Sequence, residues 1–511
     1  MPVAVPAYIR PASFFFWTMA LVHLAPIWCA PWYVSLDGPC HLYNARLLHD
    51  LLQGDPYTTT FFVLNPFPEP YWSGQLLMAL GFSVLPGWLV EKLVFTTIIL
   101  GTAFAFRKLT RTLAPDRPWT ALLAMPFLLH YGLPMGFINF GLSLPLLLLT
   151  VHWTLTALRG PVHPLKALVL FTLLYFTHPS TFVVTLGISV MLTLAAWRSA
   201  APTQARRCLR AVVIGAAAGC ALLLAYILHH PTARGATARI PVPDLLTWIG
   251  EGRAFNALGV DGELLTSSIC AIVLLVLMTA SGVLLFRRSA GTRVWALLTL
   301  CGLAAYLLVP DVMAGGSSTS PRVLLFLFLL MALWIVATPL PRWTYAGLAI
   351  LVLSDAAHTV IQTRSAMDLS RSVEDLLSVS AQLERNSVLL PLNYSDNWMH
   401  SNISNYLGVQ EQRVVVLDNF VATAPFAPVR WREEMLPYAA IGSFSESNRP
   451  CIRIAGYAEH TGQRVDQVLL WMRPQEGDSC MADALHQLDK DFPRSFRTST
   501  GNTELRLRDP S

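Results

Sequence analysis

Asp37 and His41 stand four residues apart in the stretch Trp32-Tyr33-Val34-Ser35-Leu36-Asp37-Gly38-Pro39-Cys40-His41-Leu42-Tyr43-Asn44. A carboxylate there can take a proton from a hydroxyl or hold a divalent cation, Mg or Mn. The imidazole can share that cation or, once protonated, bind a phosphate. Two ligands alone do not define a metal site, so no cofactor is fixed by the spacing. The plainer role for Asp37 is a helix cap. Pro39 suits the first turn of a helix, and Leu42, Ala45, Leu48, Leu51 and Leu52 recur behind it at helical spacing. His41 and Asn44 fall three apart and can share one face of that helix.

Four further polar residues stand out from apolar surroundings. His178, in Tyr175-Phe176-Thr177-His178-Pro179-Ser180, is either a hydrogen-bonded helix end or a site residue. Asn139, in Gly136-Phe137-Ile138-Asn139-Phe140-Gly141, binds a ligand or a neighbouring helix. Arg322 opens an apolar run after a Gly/Ser-rich loop, and Lys92 opens another. Each is a phosphate clamp or a snorkelling interfacial cation.

The elements that position these groups are membrane helices. Of 511 residues, 54% are hydrophobic and 13% charged, against about 25% charged in a soluble domain. Apolar runs long enough to span a bilayer fall near 12–31, 89–107, 119–134, 138–158, 165–179, 181–198, 211–230, 264–286, 294–309, 322–340 and 343–361, about eleven in all. The run Phe14–Ala30 lacks a cleavage-type site and reads as a retained first helix. Alternate connections carry the cations: Arg10; Arg107, Lys108, Arg111 and Arg117; Arg159 and Lys166; Arg198 to Arg210; Arg287, Arg288 and Arg293; and Arg342. The positive-inside trend puts these in the cytoplasm, with the N-terminus inside and the C-terminal segment outside. The small net charge of +5, spread in short clusters, is a topology signal and excludes a nucleic-acid footprint.

Asp37, His41, Asn44, Lys92, Asn139, His178 and Arg322 all fall on the outer side in this topology. The long first outer loop, 32–88, is expected to hold a second, interfacial helix at 73–87. Its aromatics Phe61, Phe62, Phe67, Tyr71 and Trp72 are expected to pack the loop on the membrane surface. The expected fold is mainly α: a polytopic membrane helical bundle over 1–364, with a small extracytoplasmic α/β domain over 365–511. In that domain 370–386 reads as an amphipathic helix, and 396–407 and 480–490 as further helices. Strand-like runs lie at Ser387–Leu392, Arg413–Leu417, Cys451–Ala455, Val468–Met472 and Glu504–Leu507. Cys451 and Cys480 stand where a disulfide could form, and the cysteines in or near spans read as packing residues.

An N-terminal span, a large outer loop opening with an acid and an amphipathic helix, and an interfacial helix before span two resemble the GT-C superfamily of membrane glycosyltransferases. Protein O-mannosyltransferases and lipid A aminoarabinose transferases are members. Gly136-Phe137-Ile138-Asn139-Phe140-Gly141-Leu142-Ser143-Leu144-Pro145 resembles the start of span four in bacterial members. The resemblance covers roughly 10–360. It implies a sugar donor linked to polyprenyl phosphate and a lipid, glycan or protein acceptor at the outer face of a bacterial inner membrane. It also implies that Asp37 matches the family's catalytic or metal-associated acid. The chain departs from the pattern in carrying a single acid, Asp37-Gly38, where many members have two, and no acid in 131–138.

The function expected is inverting glycosyl transfer, with Asp37 as general base, His41 beside it, and Arg322, His178 and Lys92 toward the leaving phosphate, where fixed cations help in the transition state. The rivals are a transporter or flippase of the polyprenyl carrier and a non-catalytic envelope-assembly scaffold. A transporter calls for ionisable groups near span midpoints and for repeats. The span interiors read as almost free of charge, and no repeat is seen.

Overall fold

The computed structural model describes residues 9–198, 202–230, 237–285, 290–312, 316–441, 452–472 and 479–509. Two compact units emerge. The first comprises 1–26, 95–133 and 139–365; the second comprises 27–94, 134–138 and 366–511. Residues 366–511 therefore share a unit with most of the first loop and with a five-residue turn.

The first unit holds most of the apolar helices. Among the described residues eight helices are long and apolar enough to cross a membrane: Pro11–Trp28, Gly87–Leu113, Ile138–Ala157, Pro179–Trp197, Pro202–His229, Glu263–Leu284, Thr319–Ala337 and Thr344–Gln382. Two shorter apolar helices, Pro164–Thr177 and Thr292–Leu308, fall at two more of the expected spans. The chain is an integral membrane protein. The expected span at 119–134 is not an α-helix. Pro118–Phe127 is a ten-residue 3-10 helix with Pro126 inside it, followed by turns. A proline lacks the N–H that an α-helical ladder needs, and about 20 Å of 3-10 helix falls short of a bilayer of about 30 Å.

The last span is longer than expected. One helix runs from Thr344 to Leu377, so the amphipathic stretch at 370–386 continues it and ends early, followed by a single 3-10 turn at Ser380–Gln382. The span interiors are not free of charge either. His23, Asp355 and His358 are buried within apolar helices, and Glu263 is buried at the start of another.

In the second unit a five-stranded sheet takes the order β3-β2-β5-β7-β6. Its strands are β2 (Val388–Asn393), β3 (Val415–Val416), β5 (Gln467–Trp471), β6 (Arg494–Arg497) and β7 (Thr503–Leu507). β2 is parallel to both β3 and β5, and β7 is antiparallel to β5 and β6. The run Val388-Leu389-Leu390-Pro391-Leu392 is wholly buried, as an apolar strand between two parallel neighbours should be. Pro391 pairs with Leu469 of β5 on one side and is tolerated because β3 pairs only with Val388 and Leu389, leaving no ladder on the other side of the proline. The run Cys451–Ala455 forms no strand over its described residues: Arg453 and Ile454 lead into the helix Ala455–Thr461. Two residues of alternation do not distinguish a strand from a helix start. Cys451, and with it the expected disulfide, lies outside the described residues. The expected helix at 396–407 is two short turns, Trp398–His400 and Asn405–Gly408.

A second, two-stranded sheet ties the first loop to the C-terminal segment. β1 (Phe62–Leu64) pairs antiparallel with β4 (Val429–Trp431), in the register Phe62 to Trp431. The loop aromatics serve this packing and do not face a membrane surface as expected. Phe61 and Phe62 are fully buried, Phe62 lies 4.2 Å from the Trp431 ring, and Tyr71 lies 5.2 Å from Phe426. The expected interfacial helix is Trp72–Gly81, packed beside the first-loop helix Gly38–Leu52.

Candidate active site

The helix Gly38–Leu52 is the anchor of the second unit's polar site. Its hydroxyl-bearing Tyr43 donates to Val414 O at 3.0 Å and accepts from Val416 N at 3.2 Å, which fixes the helix on β3. Asn44 is fully buried, with its amide donating to Gln75 Oε1 at 3.1 Å and Val429 O at 3.4 Å. Asn44 thus joins three elements of the unit.

Asp37 occupies the N-cap position of that helix, but its carboxylate makes no capping hydrogen bond. Its φ and ψ of −94° and −11° are helical, whereas a capping residue takes an extended backbone. The plain cap role is thereby removed. Three hydrogen bonds with two segments hold the backbone at Leu36 and Asp37 instead. Leu36 N donates to Pro134 O at 2.8 Å, Asp37 N donates to Met135 O at 3.2 Å, and the Asn402 amide donates to Leu36 O at 2.9 Å. The turn 134–138 comes so close because Gly136 has no side chain. A Cβ at 136 would lie 2.4 Å from Gly38 N and 2.8 Å from Asp37 N, and its φ of +75° is one that residues with a side chain rarely adopt. Gly38 is equally crowded: a Cβ there would lie 2.1 Å from Ser35 Oγ and 2.8 Å from Glu91 Oε1.

His41 follows one turn on, its N–H donating to Asp37 O at 3.0 Å. Burial pulls its imidazole down to about 4, so the ring is neutral near pH 7. Its Nδ1 is buried without a hydrogen-bond partner. A neutral imidazole suits the cation-sharing role better than the phosphate-binding one.

Two carboxylates that the sequence did not single out flank this region. Glu91 is buried and accepts from Tyr406 Oη at 2.9 Å. Asp418, just past β3, accepts from the Ser404 hydroxyl and from the Asn405 amide at 3.0 Å. Burial pushes Asp418 up to about 7. Burial, then the nearby carboxylates of Asp418 and Asp37, push the Cys40 thiol well up, so both acids lie within electrostatic reach of one sulfur. The turn 402–405 therefore grips the Leu36 carbonyl through Asn402 and Asp418 through Ser404 and Asn405. Lys92 is buried. Its ammonium donates to Ala30 O at 2.5 Å and sits 5.4 and 5.6 Å from the Trp28 and Trp88 rings.

In the first unit Phe140 gathers the other expected residues. His178 meets its ring edge-on at 5.2 Å, and the Arg322 guanidinium lies 5.9 Å from its centroid. His130 is a third neighbour, at 5.8 Å. The His178 Nδ1 is 2.9 Å from Ser180 Oγ and 3.2 Å from Thr181 Oγ1. Asn139 adjoins Phe140 in the chain and is buried at the start of the helix Ile138–Ala157. The imidazole and the guanidinium thus share one aromatic ring, an arrangement that presents a fixed cation beside a hydrogen-bonding group.

No family model matches the sequence, and no curated protein sequence matches it. The fold is similar to that of a solved structure, the crystal structure of ArnT from Cupriavidus metallidurans bound to undecaprenyl phosphate. The likeness has a TM-score of 0.53 at 9% identity and covers 98% of this chain and 99% of that one. A crystal structure of the Archaeoglobus fulgidus oligosaccharyltransferase in complex with zinc and sulfate matches over 89% of this chain and 67% of that one, at 13% identity. Its TM-score of 0.42 is too low to bear weight. The mainly helical membrane fold with a small α/β portion, expected from the GT-C resemblance, is the fold observed.

Proposed function

We propose that this chain transfers a sugar from a polyprenyl-phosphate carrier to a lipid, glycan or protein acceptor, at the outer face of a bacterial inner membrane. The observation that carries the reading is Asp37. The backbone at Leu36 and Asp37 is held by two segments, the 134–135 turn and Asn402, while the Asp37 carboxylate does not cap the helix it precedes. A general base needs a fixed position beside the helix start and a carboxylate not committed to capping it. The ArnT-like fold supports the reading by analogy.

In the proposed reaction the acceptor hydroxyl attacks the anomeric carbon and Asp37 takes its proton. The bond from that carbon to the phosphate oxygen breaks, and the electron pair leaves with polyprenyl phosphate. One displacement inverts the anomeric centre. Arg322, with His178 beside it, is the proposed phosphate-binding pair, where a guanidinium matches phosphate oxygens bidentately. Lys92, seated between two tryptophans, orders the start of its helix. If a divalent cation is bound, the Asp37 carboxylate and His41 Nδ1, which is buried without a hydrogen-bond partner, are the residues proposed to hold it. It would neutralise charge on the donor phosphate. The C-terminal segment is proposed to lie outside.

Purified protein incubated with a panel of polyprenyl-phosphate-linked sugars should release polyprenyl phosphate with at least one donor. Bound donors that are never cleaved, in the presence of lipid and glycan acceptors, would overturn the proposal.

A second reading, movement of the polyprenyl carrier across the membrane, is favoured by one observation. His23, Asp355 and His358 are buried inside apolar helices, a cost that transporters incur for function. Carrier translocation in sealed vesicles without donor cleavage would select it.

A further inference from the structure

The first unit contains a polar cluster that glycosyl transfer does not use. Its members are His23 from the first apolar helix, Glu263 at the start of Glu263–Leu285, and Asp355, His358 and Gln362 on successive turns of Thr344–Leu377. None is more than 4% exposed. Ionisable groups are costly at such depth and, where present, mark a functional site with a nameable partner.

The hydrogen bonds fix where the protons are. His23 Nδ1 lies 2.7 Å from the Met19 carbonyl, which can only accept, so this nitrogen carries hydrogen. His23 Nε2 lies 2.7 Å from Asp355 Oδ2, a contact that holds one proton on one partner or the other. Either way the pair has no net charge. His358 Nδ1 is 2.9 Å from Thr266 Oγ1, whose own hydrogen goes to the carbonyl of Glu263 or Gly262, so His358 Nδ1 donates. His358 Nε2 is 3.3 Å from the Gln362 amide nitrogen, a donor, so it presents a lone pair. His358 is therefore neutral. The Gln362 amide also donates to Glu263 Oε1 at 3.1 Å. The N–H groups of Ala257, Leu258 and Gly259 donate to the same carboxylate at 2.9, 3.1 and 2.7 Å. Four N–H donors leave Glu263 a carboxylate.

The sum is a single negative charge buried among helices, with an unprotonated Nε2 on His358 that accepts only from the Gln362 amide. The carbonyl of Phe255 faces that imidazole and can accept a new N–H. The Cys270 thiol is a further titratable neighbour; it donates to Leu351 O at 3.9 Å and lies near Asp355.

We propose that these side chains form a proton-binding site within the membrane helices. One proton from water adds to His358 Nε2, the Gln362 amide keeps its bond to Glu263, and the cluster becomes neutral overall. Uptake relieves the cost of a buried net charge. The groups come from three helices and the 257–259 loop, so occupancy of the site acts on the packing of all of them. The inference holds whichever reading of the Asp37 site is correct.

The test is solid-state NMR of 15N-histidine-labelled protein in lipid bilayers, with His358 assigned by loss of its signals in His358→Gln. Between pH 8 and pH 5 the wild-type His358 ring should pass from one protonated nitrogen to two. In Glu263→Gln the midpoint should move down by about one pH unit or more, because an anion that favours imidazolium is gone. If that variant does not fold, Gln362→Met, which removes the N–H that bonds the neutral Nε2, should move the midpoint up instead. A His358 ring with unchanged protonation from pH 8 to pH 5 overturns the proposal. So does a midpoint that neither substitution moves.

Discussion

Gly136 and Asp37 are in backbone contact: a Cβ on residue 136 would stand 2.8 Å from the Asp37 nitrogen and 2.9 Å from its carbonyl carbon. The two residues lie about a hundred positions apart in the chain, yet the turn carrying Gly136 sets the position of the proposed base. The close approach requires glycine, and the positive φ favours it.

Gly136→Ala should therefore damage the site in two ways. A left-handed alanine costs about 1–2 kcal/mol, and relief of the overlap must push Asp37 from its place. Transfer activity should fall at least about tenfold, equivalent to about 1.4 kcal/mol in the barrier, with a lowered unfolding midpoint. Thermal unfolding and initial-rate measurements on the same preparation check both.

Asp418 gives a pH prediction with a definite sign. Burial raises its carboxyl from 3.8 to about 7 in the fold, so the folded state binds that proton more tightly than the unfolded chain does. The contribution is whole below pH 4 and is lost as pH rises through 7. His41 runs the other way, from 6.5 to about 4; its contribution is present above 6.5 and lost as pH falls through 4. Asp418→Asn removes only the first. Relative to wild type, this variant should gain stability between pH 4 and pH 7.5. The bound is about 4 kcal/mol, at 1.36 kcal/mol per pH unit. Chemical unfolding of both proteins across that range measures the difference.

Much of this architecture is legible in the sequence, because long apolar runs and short cation clusters are read independently of what packs on what. Asp37 was legible too, as a lone acid after a span. Gly136 and Asp418 were not legible as parts of its surroundings, since their relation to Asp37 depends on turns at 134–138 and 402–405 that sequence spacing does not bring together. β1 and β4 are three residues each, too short for any periodicity to declare them. His23, Asp355 and His358 were missed because single ionisable residues vanish in the average of an apolar run; only their mutual hydrogen bonding reveals them. The 3-10 helix Pro118–Phe127 shows the converse, an apolar run that proline keeps from becoming an α-helical span.

The C-terminal segment is expected on the outside. Ser499 is exposed in the turn between β6 and β7. In a variant lacking the native cysteines, Ser499→Cys should react with a membrane-impermeant maleimide in intact spheroplasts. Labelling only after lysis would place the segment in the cytoplasm and remove the topological basis for an outer-face site.

The most direct test is Asp37→Asn. The substitution keeps the shape of the side chain but removes its ability to accept a proton near neutral pH. With purified protein and a polyprenyl-phosphate-linked sugar, donor binding and the unfolding midpoint should stay within error of wild type, while transfer falls by at least about a hundredfold, the lower bound for loss of a general base. Transfer at the wild-type rate would contradict the account, because Asp37 would then have no part in the chemistry.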